Sequence, residues 1–164
     1  MLRDKNLIPL SHQHQRALAL CVRIDRAQPI ATVDLEAWRA EVVQHFEQEI
    51  RIHFAAEELV LFPAAREFRE LAALIDQLES DHLWLRDRFA AAEASSVSAA
   101  DLLTLARRLS AHIRTEERQL FQRLQELMSK DELSVLGGKL EEALKDAEQA
   151  CILPTAATRL RPAN

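Results

Sequence analysis

The sequence predicts an all-α protein, an antiparallel up-down-up-down four-helix bundle with a short C-terminal accessory helix. Three observations predict it. Glycine and proline are scarce, with two and five in 164 residues, and tyrosine is absent; sheet folds use Gly, Asn and Asp at turns and favour Val, Ile, Thr and Tyr in strands. The chain is instead rich in Ala, Leu, Glu, Gln and Arg, the strong helix formers. Its apolar residues recur at alternating spacings of three and four, the stripe of helices packed side by side. The length is that of one ordinary domain. Residues 1–164 are therefore read as a single unit, with the bundle over about 9–128, the accessory helix over about 129–150 and a tail over 151–164.

The prolines and glycines punctuate the helices. The first helix is expected from about Pro9 or Leu10 to Arg26, with Pro9 suited to a helix start. Pro29 and Thr32 mark the next boundary. The second helix is expected from about Asp34 to Leu61, stopping near Pro63. The third runs from about Phe68 to Glu93, with a stripe of Leu71, Ile75, Leu78, His82, Leu85 and Phe89. Ser95 to Ser98 form a turn, and Ser98 with Asp101 reads as a variant capping box. The fourth helix runs from about Ala99 to Met128, with a stripe of Leu102, Leu105, Leu109, His112, Glu116, Leu120 and Leu124. Ser129 and Glu132 form a second capping box that opens the fifth helix, expected to about Gln149 and to bend or break at Gly137–Gly138. Its stripe of Leu133, Leu136, Leu140 and Leu144 favours packing on the bundle, with a homodimer contact as the alternative. The tail from Pro154 onward is expected to fray.

Composition excludes several functions. With 48% apolar and 29% charged residues, the chain can bury a real core. A net charge of −5 without a Lys/Arg block argues against nucleic acid or anionic membrane surfaces as partners. No apolar run approaches the ~18 residues of a membrane span. The opening MLRDKNLIPL lacks the apolar stretch of a signal peptide. Cys21 and Cys151 are too few for a disulfide framework. A cytoplasmic protein is the expectation.

The informative residues are polar ones inside the apolar stripes. His82, His112 and Glu116 occupy core positions of helices three and four. In helix two, Val42, Phe46 and Ile50 set a face that His53 and Glu57 then occupy. In helix one, His14 leads into Leu18, Cys21 and Ile24. An internal repeat connects them: residues 53–62 and 112–121 both read H-x-x-x-E-E-x-x-L-F. Each copy is preceded, one helix earlier, by a single core-facing histidine, at His14 and His82. The chain thus reads as two helix pairs related by a pseudo-twofold.

That pattern points to a pair of metal ions. In H-x-x-x-E the two side chains lie about 40° apart around the helix and reach into the same space. An imidazole can bind one metal while the carboxylate one turn on bridges to a second. Two such helices, with His14 and His82, give each metal two imidazoles and a share of two carboxylates, and leave a position open for a small ligand. A lone histidine in a stripe is more often a hydrogen-bonded core residue. Burying two carboxylates among four histidines, however, costs several kcal/mol unless cations compensate them. The expected ligands are therefore His14, His53, Glu57, His82, His112 and Glu116.

Neighbouring residues are assigned more ordinary roles. His12 faces away from His14 and is expected in solvent or at a cap, and His45 in boundary packing. Glu58 and Glu117 point about 100° from the ligands; surface or interhelical pairing is the default, with support of the site as the alternative. Arg86 is expected in a surface salt bridge, or beside the site as a partner for a bound anion. Cys21 reads as a small core residue, and Trp84 as an outward or interface residue.

The motifs LSHQHQRAL around His14, HFAAEELVLFP around His53 and Glu57, ESDHLWLR around His82 and HIRTEERQLF around His112 and Glu116 together resemble the hemerythrin-like, HHE cation-binding domain over about residues 9–150. The resemblance implies an antiparallel four-helix bundle with two iron ions joined by an oxo or hydroxo bridge, and chemistry with O₂, NO or peroxide. Oxygen-carrying hemerythrins have two histidines one turn apart in the third helix, where this chain has His82 and Arg86. They have an aspartate five residues after the fourth-helix histidine, where this chain has Glu116 at four and Glu117 at five. The four-His, two-Glu set is more similar to HHE proteins of iron sensing or of oxidative and nitrosative damage repair. The repair proteins usually carry a further N-terminal domain with a cysteine motif, which is not seen here, so repair of oxidative or nitrosative damage is not simply carried over and stays with the redox enzyme as an alternative. Three functions compete: a non-enzymatic di-iron module that binds O₂, NO or peroxide as sensor, store or scavenger; a redox enzyme that reduces peroxide or NO; and a metal-free interaction bundle. The absence of tyrosine excludes a tyrosyl-radical mechanism, and only Glu79–His82 has the E-x-x-H spacing of ferritin-like sites. The N and O donor set suits iron, and also zinc or manganese.

Overall fold

The computed structural model describes residues 2–148 and 156–159. Every regular element among the described residues is helical. After a short 3₁₀ turn at Lys5–Leu7, α1 spans Ile8–Arg26 with Pro9 in its first turn. A second rod, residues 35–66, is built from α2 (Leu35–His45), α3 (Arg51–Ala56) and α4 (Phe62–Arg66). These join through wide π turns at Phe46–Ile50 and Glu57–Leu61. The third rod is α5, Ala72–Glu93. The fourth comprises α6 (Ala99–Thr115), a π turn at Glu116–Leu120 and α7 (Phe121–Leu127). The fifth helix, α8, spans Lys130–Glu148.

Local signals account for the boundaries. Ser98 accepts from the Asp101 amide while the Asp101 carboxylate accepts from the Ser98 amide, a complete capping box. Ser129 and Glu132 make the same reciprocal pair before α8. The end of α5 closes with Ser96 N–H donating to the Ala91 carbonyl and Ser95 N–H to the Ala92 carbonyl. Ser95 takes the left-handed conformation that this motif needs, at φ 54°.

Three expectations are corrected. The second rod does not stop near Pro63 but runs on to Arg66. Inside a regular helix the proline ring would clash with the carbonyl four residues back; here the wide turn just before it opens the ladder at that point. Gly137–Gly138 neither bend nor break α8. A Cβ on Gly137 would meet Asn6 Oδ1 at 2.5 Å and Asn6 Cβ at 2.6 Å; this glycine admits the N-terminal segment against the helix. The tail is not wholly frayed: Ala157–Arg159 form a 3₁₀ turn, and Ala157 is buried in the core beside α2. The rest of the tail, and Cys151, lie outside the described residues.

The rods pack side by side as a bundle, α1 along α6, α2 along α5, and α5 along α6. Their apolar faces form two clusters. One holds Ala17, Leu20 and Ile24 of α1, Val42, Leu85 and Phe89, and Leu102 to Ile113 of α6. The other holds Leu7 and Leu10, Leu61 and Phe62, Ile75 and Leu78, Leu120 and Leu124, and the α8 leucines 136, 140 and 144. Each rod passes from one cluster to the other, and at the crossing each places a histidine. No helix among the described residues is long and apolar enough to cross a membrane.

Candidate metal centre

At that crossing His14, His53, His82, His112, Glu57 and Glu116 are all buried, the two glutamates completely. His53 and Glu57 lie one α-turn apart, as do His112 and Glu116, so each pair projects into the same space. The imidazoles meet in two couples. His14 Nε2 lies 2.9 Å from His53 Nε2, and His82 Nε2 lies 3.1 Å from His112 Nε2. Each carboxylate spans both couples. Glu57 puts Oε1 3.1 Å from His53 Nε2 and Oε2 3.3 Å from His82 Nε2. Glu116 puts Oε1 3.3 Å from His112 Nε2 and Oε2 3.3 Å from His14 Nε2.

Two four-donor sets result: His14, His53, Glu57 and Glu116, and His82, His112, Glu57 and Glu116. In each, one ligand atom per residue lies within 4.8 Å of the others. The spacings suit a cation. Donors about 2.0–2.1 Å from an ion stand about 2.9 Å apart at right angles and about 3.3 Å apart at tetrahedral angles. All four carboxylate oxygens of Glu57 and Glu116 are buried without a hydrogen-bond donor. Leaving such oxygens uncompensated costs several kcal/mol, and a pair of cations satisfies all four at once. The donor sets therefore fit metal binding.

The electrostatics report the same demand for positive charge. Burial pulls the His14 pKa down, but the neighbouring carboxylates of Glu116 and Glu117 outweigh it and bring it up to about 9. For His112, burial is outweighed by Glu116 and Asp81, and the pKa rises to about 10. His82 is likewise raised, against its burial, by Glu57 and Glu58. Glu116 is held well below its ordinary value, with the pull of His112 and His14 overcoming burial. Glu57 is lowered by His53 and His82 against both burial and the charge of Glu116.

A second layer orients the rings through their Nδ1 atoms. His14 Nδ1 lies 2.8 Å from Glu117 Oε1, and His82 Nδ1 lies 2.8 Å from Glu58 Oε1. His53 Nδ1 lies 2.7 Å from Gln13 Oε1, and His112 Nδ1 lies 3.7 Å from Asp81 Oδ2. For His14, His53 and His82, the carboxylate and amide acceptors on Nδ1 keep the proton there and leave the Nε2 lone pair for a metal, whereas Asp81 stands too far from His112 Nδ1 for a hydrogen bond. The pseudo-twofold thus extends outward. The second glutamate of each repeat holds the lone histidine of the other pair, and the residue before each lone histidine, Gln13 or Asp81, faces the repeat histidine. Glu58 and Glu117 are therefore interhelical supports, with their carboxyls at about 2 because His82 with Arg86, and His14 with Ser11 and Arg3, outweigh burial. Arg86 holds Glu58 at 2.7 and 3.0 Å. Arg3 pairs with Glu117 and donates to its carbonyl at 2.8 Å.

A wide turn begins at each of the two donor glutamates. Phe62 N–H donates to the Glu57 carbonyl and Phe121 N–H to the Glu116 carbonyl, each five residues back. The extra residue re-phases the rod, so the adjacent pairs Leu61–Phe62 and Leu120–Phe121 are all fully buried. Single π turns of this kind concentrate at functional sites. Sequence reasoning missed these turns, Gln13 and Asp81. Nothing in the residue pattern marks these turns, since adjacent residues of a regular helix are also buried together, as Leu20 with Cys21 and His112 with Ile113 are.

The remaining residues fall close to expectation. His12 is exposed, while His45 is buried against Glu41, 3.3 Å away. Trp84 is half-buried under the guanidiniums of Arg88 and Arg108. Cys21 is buried in the core.

The family model of the hemerythrin HHE cation binding domain matches residues 9–124. No curated protein and no solved structure matches the chain. A match over most of the chain, on a bundle whose rods converge on two His/Glu donor sets, places this protein in the hemerythrin HHE cation-binding family.

Proposed function

We propose that this chain holds two iron ions in the His14–His53 and His82–His112 donor sets, and binds O₂, NO or peroxide as a sensor, store or scavenger. The observation that carries the reading is that both carboxylates span both histidine couples, so neither set is complete without the other. The frame is read as an antiparallel up-down-up-down bundle, since the connections over residues 27–34, 67–71 and 94–98 are too short for long crossovers. Iron bound there supplies one-electron redox chemistry and an open coordination position.

The chain's own residues supply shape and selectivity. A cavity of about 10 Å³, lined by Ala17, Ile50, Phe54, Leu109 and Ile113, touches His14, His53 and His112. That is about the space of one water-sized probe. A space this small beside the donors favours a ligand of one or two heavy atoms over an organic substrate. Glu58 binds Arg86 through two hydrogen bonds, which leaves Arg86 committed to the protein rather than to a substrate anion. Binding is therefore favoured over catalytic reduction of peroxide or NO.

The test is elemental analysis of anaerobically prepared protein, followed by optical spectra on exposure to air or NO. Two irons per chain are expected, with stoichiometric ligand uptake and oxo-bridge absorption on oxidation, all lost in His53→Ala. Zinc alone with no iron uptake on reconstitution overturns the assignment. Sustained turnover with a reductant favours the enzyme instead.

A further inference from the structure

On the outer side of α1 and α6 lies an open groove of about 330 Å³, separate from the metal centre. Val22 and Ala106 form an apolar part of its floor, beside the buried Cys21 and Ser110. Three guanidiniums border it, Arg26 from α1 and Arg107 and Arg114 from α6. Asp25 is the single acid on the rim and lies 3.7 Å from Arg107. Three arginines against one aspartate leave the groove at +2, on a chain whose net charge is −5. A concentration of positive charge over an apolar floor favours an anion with a hydrophobic part. The thiol is not a nucleophile here, because burial pushes Cys21 up to about 12, with Arg114 opposing only in part.

We propose that this groove binds a small amphiphilic organic anion, with its oxyanion head on Arg26, Arg107 and Arg114 and its apolar body on Val22 and Ala106. Guanidinium forks match carboxylate and phosphate geometry. The volume accommodates a short alkyl or aryl chain and falls at the small end of ligand sites. The site is independent of the iron assignment, since none of its residues belongs to either donor set.

Octanoate, hexylamine and inorganic phosphate, titrated calorimetrically into the full chain, test this. Octanoate should bind one per chain, and phosphate at least about tenfold more weakly, because it leaves the apolar floor uncovered. The double variant R107Q/R114Q should weaken octanoate about tenfold, as expected for two partly exposed ion pairs. V22S should weaken octanoate and leave phosphate unchanged. All three side chains are exposed, so melting curves should remain those of the parent. On the parent protein, amide chemical shifts should move at Val22, Ala106 and Ser110. No saturable octanoate binding, equal binding of hexylamine, unchanged affinity in the double variant, or shifts confined to other helices would each overturn the proposal. Binding of a poly-glutamate peptide that octanoate fails to displace would also overturn it, and would make the groove a docking face for acidic protein.

Discussion

Glu57 and Glu58 are neighbours with the same side chain and different tasks. Glu57 is completely buried and faces the Nε2 atoms; Glu58 is half-buried and faces a single Nδ1. Removing Glu57 takes an oxygen from both donor sets, so Glu57→Ala is expected to lose both metals. Removing a supporting acceptor loosens one ring only. Glu58→Gln or Glu117→Gln should retain two metals and lower affinity about 10–100-fold, read by chelator competition. The histidines also set a pH dependence. With the folded, metal-free values of His14 and His112 raised to about 9 and about 10, the native state holds protons that the unfolded chain releases near 6.5. That stability is fully present below about 6.5 and is lost as pH rises through 9–10. Metal binding must displace the same protons. Metal-free protein should therefore melt lower as pH rises from 7 to 10, while metal affinity rises. At pH 7 loading should release at least about two protons per chain, from His14 and His112 with a share from His82, measured by calorimetry in buffers of different ionisation enthalpy.

At the scale of the elements, the wide turns and α8 show local rules yielding to tertiary demands. Gly→Ala inside a helix ordinarily stabilises by about 0.5–1 kcal/mol. At Gly137 the sign should reverse, because the methyl would run into Asn6. Gly137→Ala is expected to cost about 1–3 kcal/mol in urea denaturation. Gly138, with nothing within 4 Å, should show the ordinary gain. Asn6→Gly in the Gly137→Ala background should recover part of the loss, which a general helix effect would not. Ser98→Ala removes the capping-box acceptor and should cost about 1 kcal/mol.

Across the whole molecule, two apolar clusters are separated by one polar layer that all four rods cross. A layer of four imidazoles and two carboxylates is a weak seam unless it is cross-linked. Metal bound only to the native state should stabilise by about 2.7 kcal/mol at a free concentration a hundred times Kd. Removal with a chelator should lower Tm and broaden the transition as the two clusters lose their tie. A Tm indifferent to chelation would mean that packing alone holds the layer.

Much of this was legible in the sequence because periodicity and chemistry act locally. Scarce glycine, Leu/Ala stripes and two capping boxes specify rods, and the H-x-x-x-E-E repeat with His14 and His82 specifies which faces carry donors. Three things depended on neighbours distant along the chain. Whether His14 meets His53 or His112 depends on how the rods pack. Whether Glu58 reaches His82 depends on how α5 lies against the second rod. Whether Gly137 breaks a helix or admits Asn6 depends on where the N-terminus lies. Spacing along a helix sets direction around its axis, while contact between helices is set by the collective packing of all the rods.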